Sequence, residues 1–171
     1  MQPAGPVSVN PATEADVPAL AALAVEHYGG DVAAWRERLA APVAAGELVL
    51  VARAAAPGGP GEGDADGAAP VGYVRAGRRT PTGDDPAPAG WWLTGLVVAA
   101  SARGRGVGSR LVSTALAHRP AGEPVWSMAN ATNAASLALH EAAGFAEVLR
   151  APVLLGEPFE GGEGVLFGLD P

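Results

Sequence analysis

Val97-Val98-Ala99-Ala100-Ser101-Ala102-Arg103-Gly104-Arg105-Gly106-Val107-Gly108-Ser109-Arg110-Leu111 is the most telling run of this 171-residue chain. An apolar extended segment ends in a small-residue turn. Alternating glycines follow, then a helix-forming stretch. The first N–H groups of a helix have no partner within the helix. They carry partial positive charge and favour an anion. Glycine lets that anion approach the backbone without a Cβ in the way. Arg103, Arg105 and Arg110 add full positive charge in a chain whose net charge is -7. The run therefore predicts a bound phosphate or pyrophosphate.

The rest of the sequence bounds what that site can belong to. The length suits one domain spanning residues 1–171. Hydrophobic residues make up 49%, enough to build a packed core. The acidic balance argues against duplex nucleic acid as a partner. The absence of cysteine removes disulfides, thiolate nucleophiles and Cys-based zinc sites, and no metal is expected. No run approaches the ~18 consecutive apolar residues of a membrane span, and Met1–Asn10 lacks signal-peptide character. The expectation is a cytoplasmic protein with no membrane partner.

Working outward from the glycine run, Trp92–Val98 reads as the strand that feeds it and Val107–His118 as the helix that leaves it. Upstream, Val7–Val9 alternates as a short strand. Thr13 caps a helix reaching about Tyr28, closed by Gly29-Gly30. Asp31 caps a second helix through Trp35, Leu39 and Val43. Glu47–Ala54 and Val71–Arg75 read as strands joined by a Gly/Pro-rich loop over 56–69, expected to be mobile, as is a second loop over 80–90. Downstream come a strand at Pro124–Ala129, a helix at Asn133–Ala143 stopped by Gly144, and strands at Phe145–Arg150 and Gly164–Leu169. The order β-α-α-β-β-β-α-β-α-β-β predicts a mixed α+β domain: a twisted seven-stranded mixed sheet flanked by about four helices.

The dinucleotide fingerprint needs a sixth-position glycine where Ser109 stands, and the P-loop needs a lysine the chain lacks. The pattern Arg103-x-x-Gly106-x-Gly108 instead resembles the acyl-CoA pyrophosphate motif of the GNAT superfamily of N-acetyltransferases. Asn133-Ala-Ala-Ser136-Leu-Ala-Leu139-His140-Glu141-Ala-Ala-Gly144-Phe145 resembles that family's closing signature, in the version found in phosphinothricin-type acetyltransferases. The resemblance runs from about Val7 to Leu169.

The resemblance implies acetyl-CoA as co-substrate and acetyl transfer to a primary amine of a small molecule or peptide. It implies a sheet splayed between its fourth and fifth strands, those ending at Val98 and near Ala129. The pantetheine arm would bond to the backbone of Leu96, Val97 and Val98. The N–H groups of Arg103, Gly104, Arg105, Gly106, Val107, Gly108 and Ser109 would hold the pyrophosphate, with Asn133, Ser136 and His140 contributing from the later helix. The Val98 N–H would polarise the thioester carbonyl. His140 stands where the family often has the tyrosine that protonates the leaving thiolate. The same imidazole could instead pack on, or hydrogen-bond to, the cofactor while water supplies the proton.

The strand Trp91–Leu96 carries no carboxylate, so no general base is assigned. Glu26, His27, Asp84 and Asp85 are the candidates by position, each weighed against a solvated surface charge. Glu26, Asp31, Asp84, Asp85 and Glu160 would suit a cationic acceptor. One of the adjacent Trp91 and Trp92, and Phe159 in the 156–162 loop, are candidates to line an acceptor pocket; core packing is the alternative for both. A non-catalytic acyl-CoA sensor or partner-docking module is the alternative function, and the choice between monomer and homodimer stays open.

Overall fold

The computed structural model describes residues 7–54 and 68–171. Residues 56–67 of the first expected loop lie outside the described residues. The elements are β1 (Val7–Pro11), α1 (Val17–Tyr28), α2 (Val32–Ala44), β2 (Leu48–Ala54), β3 (Pro70–Arg79), β4 (Gly90–Val98), α3 (Val107–Leu116), β5 (Val125–Asn130), α4 (Ala134–Ala142), β6 (Ala146–Ala151), β7 (Val153–Leu154), β8 (Glu157–Pro158) and β9 (Gly164–Leu169). Seven strands form one mixed sheet in the order β1-β2-β3-β4-β5-β9-β6. The α+β architecture is the one expected. The chain divides into two compact units, Met1–Arg75 with Gly95–Ala115 and Ala76–Thr94 with Leu116–Pro171.

In the first unit, Leu20, Ala21, Leu23 and Ala24 recur at helical spacing and turn one face of α1 inward. They join Leu39 of α2, Val49 and Val51 of β2, Tyr73 of β3 and Val97 of β4 in one core cluster. Asp31 caps α2 as expected, its carboxylate accepting from the N–H groups of Ala33 at 2.9 Å and Ala34 at 3.0 Å. Thr13 precedes a short 3-10 turn, and its N–H donates to Asp16 at 2.8 Å. The Asp16 carboxylate also accepts from the Arg53 guanidinium in a buried ion pair. Neither residue stands out in the sequence, because Arg53 sits inside an otherwise apolar strand. Burial alone would raise the Asp16 pKa. The Thr13 and Arg53 donors outweigh it and hold the carboxyl below its ordinary value.

In the second unit, β4 pairs with β5 in parallel through Trp91↔Val125, Trp92↔Trp126 and Leu93↔Ser127. β9 pairs antiparallel with both β5 and β6. Trp92, Ala87, Ala151, Leu154 and Leu166 form the buried cluster. Gly95 follows the last β4–β5 rung by two residues and takes φ +61. Such a conformation inside a strand favours glycine and bends the strand out of its ladder. β4 itself runs on to Val98 and β5 to Asn130.

Three local readings differ from the sequence expectation. Trp91 and Trp92 are both buried, at 6% and 0% exposure, so neither is left over to line an open pocket. β7 and β8 form a small hairpin that the sequence does not announce. Its turn residues, Leu155 and Gly156, both have positive φ, the geometry of a two-residue hairpin turn usually made by Asn-Gly or Asp-Gly. The 80–90 segment, expected to be mobile, is anchored: Asp85 accepts from the N–H groups of Ala87 at 2.9 Å and Gly156 at 2.7 Å, and Ala87 is buried.

Candidate active site

In the first unit, the site begins at the end of β4. The Ala99 N–H donates to the Val71 carbonyl of β3 at 2.9 Å. Backbone groups alternate sides along a strand, so Val97 also faces β3. Its carbonyl lies so close to Gly72 that an added Cβ there would stand 2.8 Å away. Val98 and Leu96 therefore present their N–H and C=O groups to the opposite edge of β4. This differs from the expectation that all three backbones are available to a ligand: Val97 is turned inward, with its side chain in the core.

Arg103 reaches back to that edge. Its Nε donates to the Val98 carbonyl at 3.1 Å, and its Nη2 lies 3.4 Å from His27 Nδ1. The arginine thus occupies the Val98 carbonyl and leaves the Val98 N–H as the group facing outward. Arginine only donates, so His27 accepts at Nδ1. Burial and the Arg103 charge lower the His27 pKa, against the opposing pull of Glu26. Glu26 itself accepts from the Ala100 N–H at 3.1 Å. It fixes the first turn after β4.

The glycine run then opens. Arg103 N–H donates back to the Ala100 carbonyl at 3.4 Å, and the first intrahelical bond of α3 is Arg110 N–H to Gly106 at 3.0 Å. Between them, the N–H groups of Gly104, Arg105, Gly106, Val107, Gly108 and Ser109 have no acceptor among the described residues. Gly104 and Gly106 take φ +71 and +75. A Cβ at either would meet nothing within 4 Å, so backbone conformation, and not crowding by the protein, calls for glycine there. Leu111 and Val107 anchor α3 in the core while Arg105 and Arg110 stay exposed.

In the second unit, α4 links its three expected site residues in a chain. The Asn133 side chain caps the helix, accepting from the Ser136 N–H at 3.1 Å. The Ser136 carbonyl accepts from His140 Nδ1 at 2.7 Å. His140 is 6% exposed. Its ring stacks on Phe167 at 4.5 Å and meets the edge of Phe145 at 5.4 Å. Its other nitrogen, Nε2, lies 2.7 Å from the Ser127 hydroxyl. Burial pushes the His140 pKa below the ordinary imidazole value, against the pull of the Ser136 carbonyl.

Ser127 is the residue the sequence reading missed. In Val125-Trp126-Ser127-Met128-Ala129 the buried positions are 125, 127 and 129. A hydroxyl on the inward face of an alternating strand is the signal that could have found it.

Among the remaining candidates, Asp85 and Phe159 have structural employment. Asp85 is tied to backbone N–H groups. Burial raises its pKa, but the bonds from Ala87, Gly156 and Leu155 prevail and lower it. Asp84 and Asp85 line a hollow of about 460 Å³ with Pro86 and Val153. Phe159 packs on Gly164, where an added Cβ would stand 2.1 Å from its ring, and joins the core cluster of the second unit.

The model of the acetyltransferase (GNAT) family matches residues 34–145. The chain belongs to the GNAT acetyltransferase family. GNAT structures share its fold along nearly the whole length. A GNAT-family acetyltransferase from Bacillus cereus superposes with a TM-score of 0.71 at 19% identity, covering 97% of this chain and 98% of that one. A ribosomal-protein-alanine N-acetyltransferase from Brucella melitensis gives 0.65 at 27% identity, covering 96% and 99%. A GNAT phosphinothricin acetyltransferase from Sinorhizobium meliloti, solved with acetyl-CoA, gives 0.69 at 19% identity, covering 96% and 88%. No curated sequence matches this GNAT chain.

Proposed function

We propose that the chain transfers an acetyl group from acetyl-CoA to a primary amine of a small molecule or peptide, by direct attack within a ternary complex. The observation that carries this reading is the row of six unpartnered N–H groups from Gly104 to Ser109, placed just after the outward-facing Val98 N–H. The row is suited to a diphosphate, and Val98 to a thioester carbonyl whose oxygen gains charge as the amine attacks. Leu96 and Val98 would hold the pantetheine arm as an added strand. The neutral amine forms the C–N bond, the C–S bond breaks, the thiolate departs, and the proton shed by the nitrogen passes to water and on to the thiolate. Holding both substrates in line supplies most of the acceleration, up to ~7–11 kcal/mol in well-oriented systems.

His140 is packed and hydrogen-bonded within the protein, which supports a structural role over direct proton transfer. Both ring nitrogens are engaged and the ring is buried. Water then protonates the thiolate. His140→Phe is expected to cost roughly 1–3 kcal/mol of stability, the usual penalty for stranding buried hydrogen-bond partners. It should leave the shape of the kcat profile from about pH 6 to about pH 9 unchanged, a window spanning the imidazole range. If the wild-type profile shows a limb that the variant erases, the His140 proton matters to turnover and a purely structural role is contradicted.

One observation favours the sensor reading: β4 carries no carboxylate, and both Glu26 and Asp85 are committed to backbone N–H groups. Thiol release from acetyl-CoA over a panel of amines, with products identified by mass spectrometry, separates the two. Turnover with any amine establishes the transferase; saturable binding without turnover on all of them establishes the sensor.

A further inference from the structure

The Ser127 hydroxyl has one proton and more than one acceptor within reach. The Ser136 carbonyl can only accept, so His140 Nδ1 carries a hydrogen. In a neutral imidazole, Nε2 is then a lone pair. The Ser127 hydroxyl has one proton and two acceptors for it: His140 Nε2 at 2.7 Å and the Leu93 carbonyl at 3.1 Å. Two lone pairs do not tolerate 2.7 Å without a proton between them. In neutral His140 the hydroxyl therefore turns to Nε2, and the Leu93 carbonyl loses the bond from the Ser127 side chain. When Nε2 takes up a proton from solvent, it donates to Ser127 Oγ, and the hydroxyl is released to Leu93. All three side-chain contacts of the chain Ser136–His140–Ser127–Leu93 are then hydrogen bonds at once.

Leu93 and Ser127 are directly opposite each other, in the last rung before Gly95 bends β4 away. We propose that Ser127 is a positioning residue that couples the protonation state of His140 to the final rung of the β4–β5 ladder. It sets whether the Leu93 carbonyl carries a side-chain hydrogen bond in addition to the ladder. Its consequence for acetyl transfer rests on the function proposed above; the coupling itself does not.

The groups facing the imidazole are Ser127 from β5, Phe167 from β9, Phe145 beyond α4 and Ser136 on its own helix. Among the described residues no charged side chain contributes to its titration. The coupling is therefore carried by hydrogen bonds alone. Burial favours the neutral ring, so at neutral pH the hydroxyl is expected to rest on His140.

The test is an NMR titration of the ligand-free protein from about pH 4 to about pH 8, bracketing the imidazole range. It follows the His140 ring nitrogens and the Leu93 carbonyl carbon. In the wild type, neutral His140 should be the Nδ1–H tautomer, the rarer form in water. The Leu93 carbonyl should shift with the same midpoint as the ring. Ser127→Ala should abolish the Leu93 shift while His140 still titrates, and Ser127→Thr should restore it. An Nε2–H tautomer, or a Leu93 carbonyl that ignores His140, overturns the proposal in the wild type alone, whatever the variants do. Because no acetyl-CoA or amine is present, loss of the acetyltransferase reading would leave the outcome intact, and the reverse.

Discussion

Gly106→Glu is expected to weaken acetyl-CoA binding about a thousandfold or more, with little change in folding. Gly106 has φ +75, and a Cβ there meets nothing within 4 Å. Two costs follow. With a side chain the free loop relaxes to negative φ, and binding must restore the left-handed conformation at about 1–2 kcal/mol. A carboxylate about 4 Å from a phosphate charge adds roughly 4 kcal/mol of repulsion at the effective dielectric of a protein surface, and each 1.4 kcal/mol is about tenfold in affinity. Gly106→Ala carries only the first cost and should weaken binding by about five- to thirtyfold. Calorimetric titration of both variants separates backbone from charge. If Gly106→Glu binds like the wild type, the diphosphate lies elsewhere.

The second large effect concerns stability. Arg53→Met removes one partner of a buried ion pair and strands the Asp16 carboxylate. Breaking such a pair typically costs about 3–5 kcal/mol. The pH dependence has a definite sign. Asp16 has a folded pKa below its unfolded value, so its contribution is fully present above the unfolded carboxylate range, near ~3.9. It is lost as pH falls through the folded pKa. Urea unfolding should therefore show a wide gap between wild type and Arg53→Met near pH 7 that narrows toward pH 3. A gap under about 1 kcal/mol near neutrality would show that the pair is solvated and structurally minor.

How far the chain could be read before its structure depended on the kind of signal. Periodicity is local, so α1, α2 and the seven strands of the sheet were legible from residues such as Leu20, Ala21 and Ala24, or the alternation through β5. The Asp31 cap and the glycine run announced themselves because their chemistry is confined to a few adjacent residues. What escaped depended on contacts far apart in sequence. Arg53 meets Asp16 across 37 residues and Arg103 meets His27 across 76. The Arg103 guanidinium, expected as positive charge near the phosphate, also donates to the Val98 carbonyl. The β7–β8 turn escaped because Leu155 takes a conformation its residue type disfavours. Val97 was grouped with its neighbours because spacing alone does not say which strand edge meets β3. Ser127 carried a signal, a polar residue in an inward position, but its importance lies in the proton it shares with a histidine thirteen residues away.

Everything functional here depends on whether the amide hydrogens between Gly104 and Ser109 receive a diphosphate. The direct measurement is the backbone amide NMR spectrum under titration with acetyl-CoA and, separately, with S-acetyl-pantetheine, which lacks the diphosphate. Large shifts of the Gly104–Ser109 amides with acetyl-CoA and none with S-acetyl-pantetheine are the expected result. Amides that stay in place when acetyl-CoA is saturating would contradict the assignment of this chain's cofactor site.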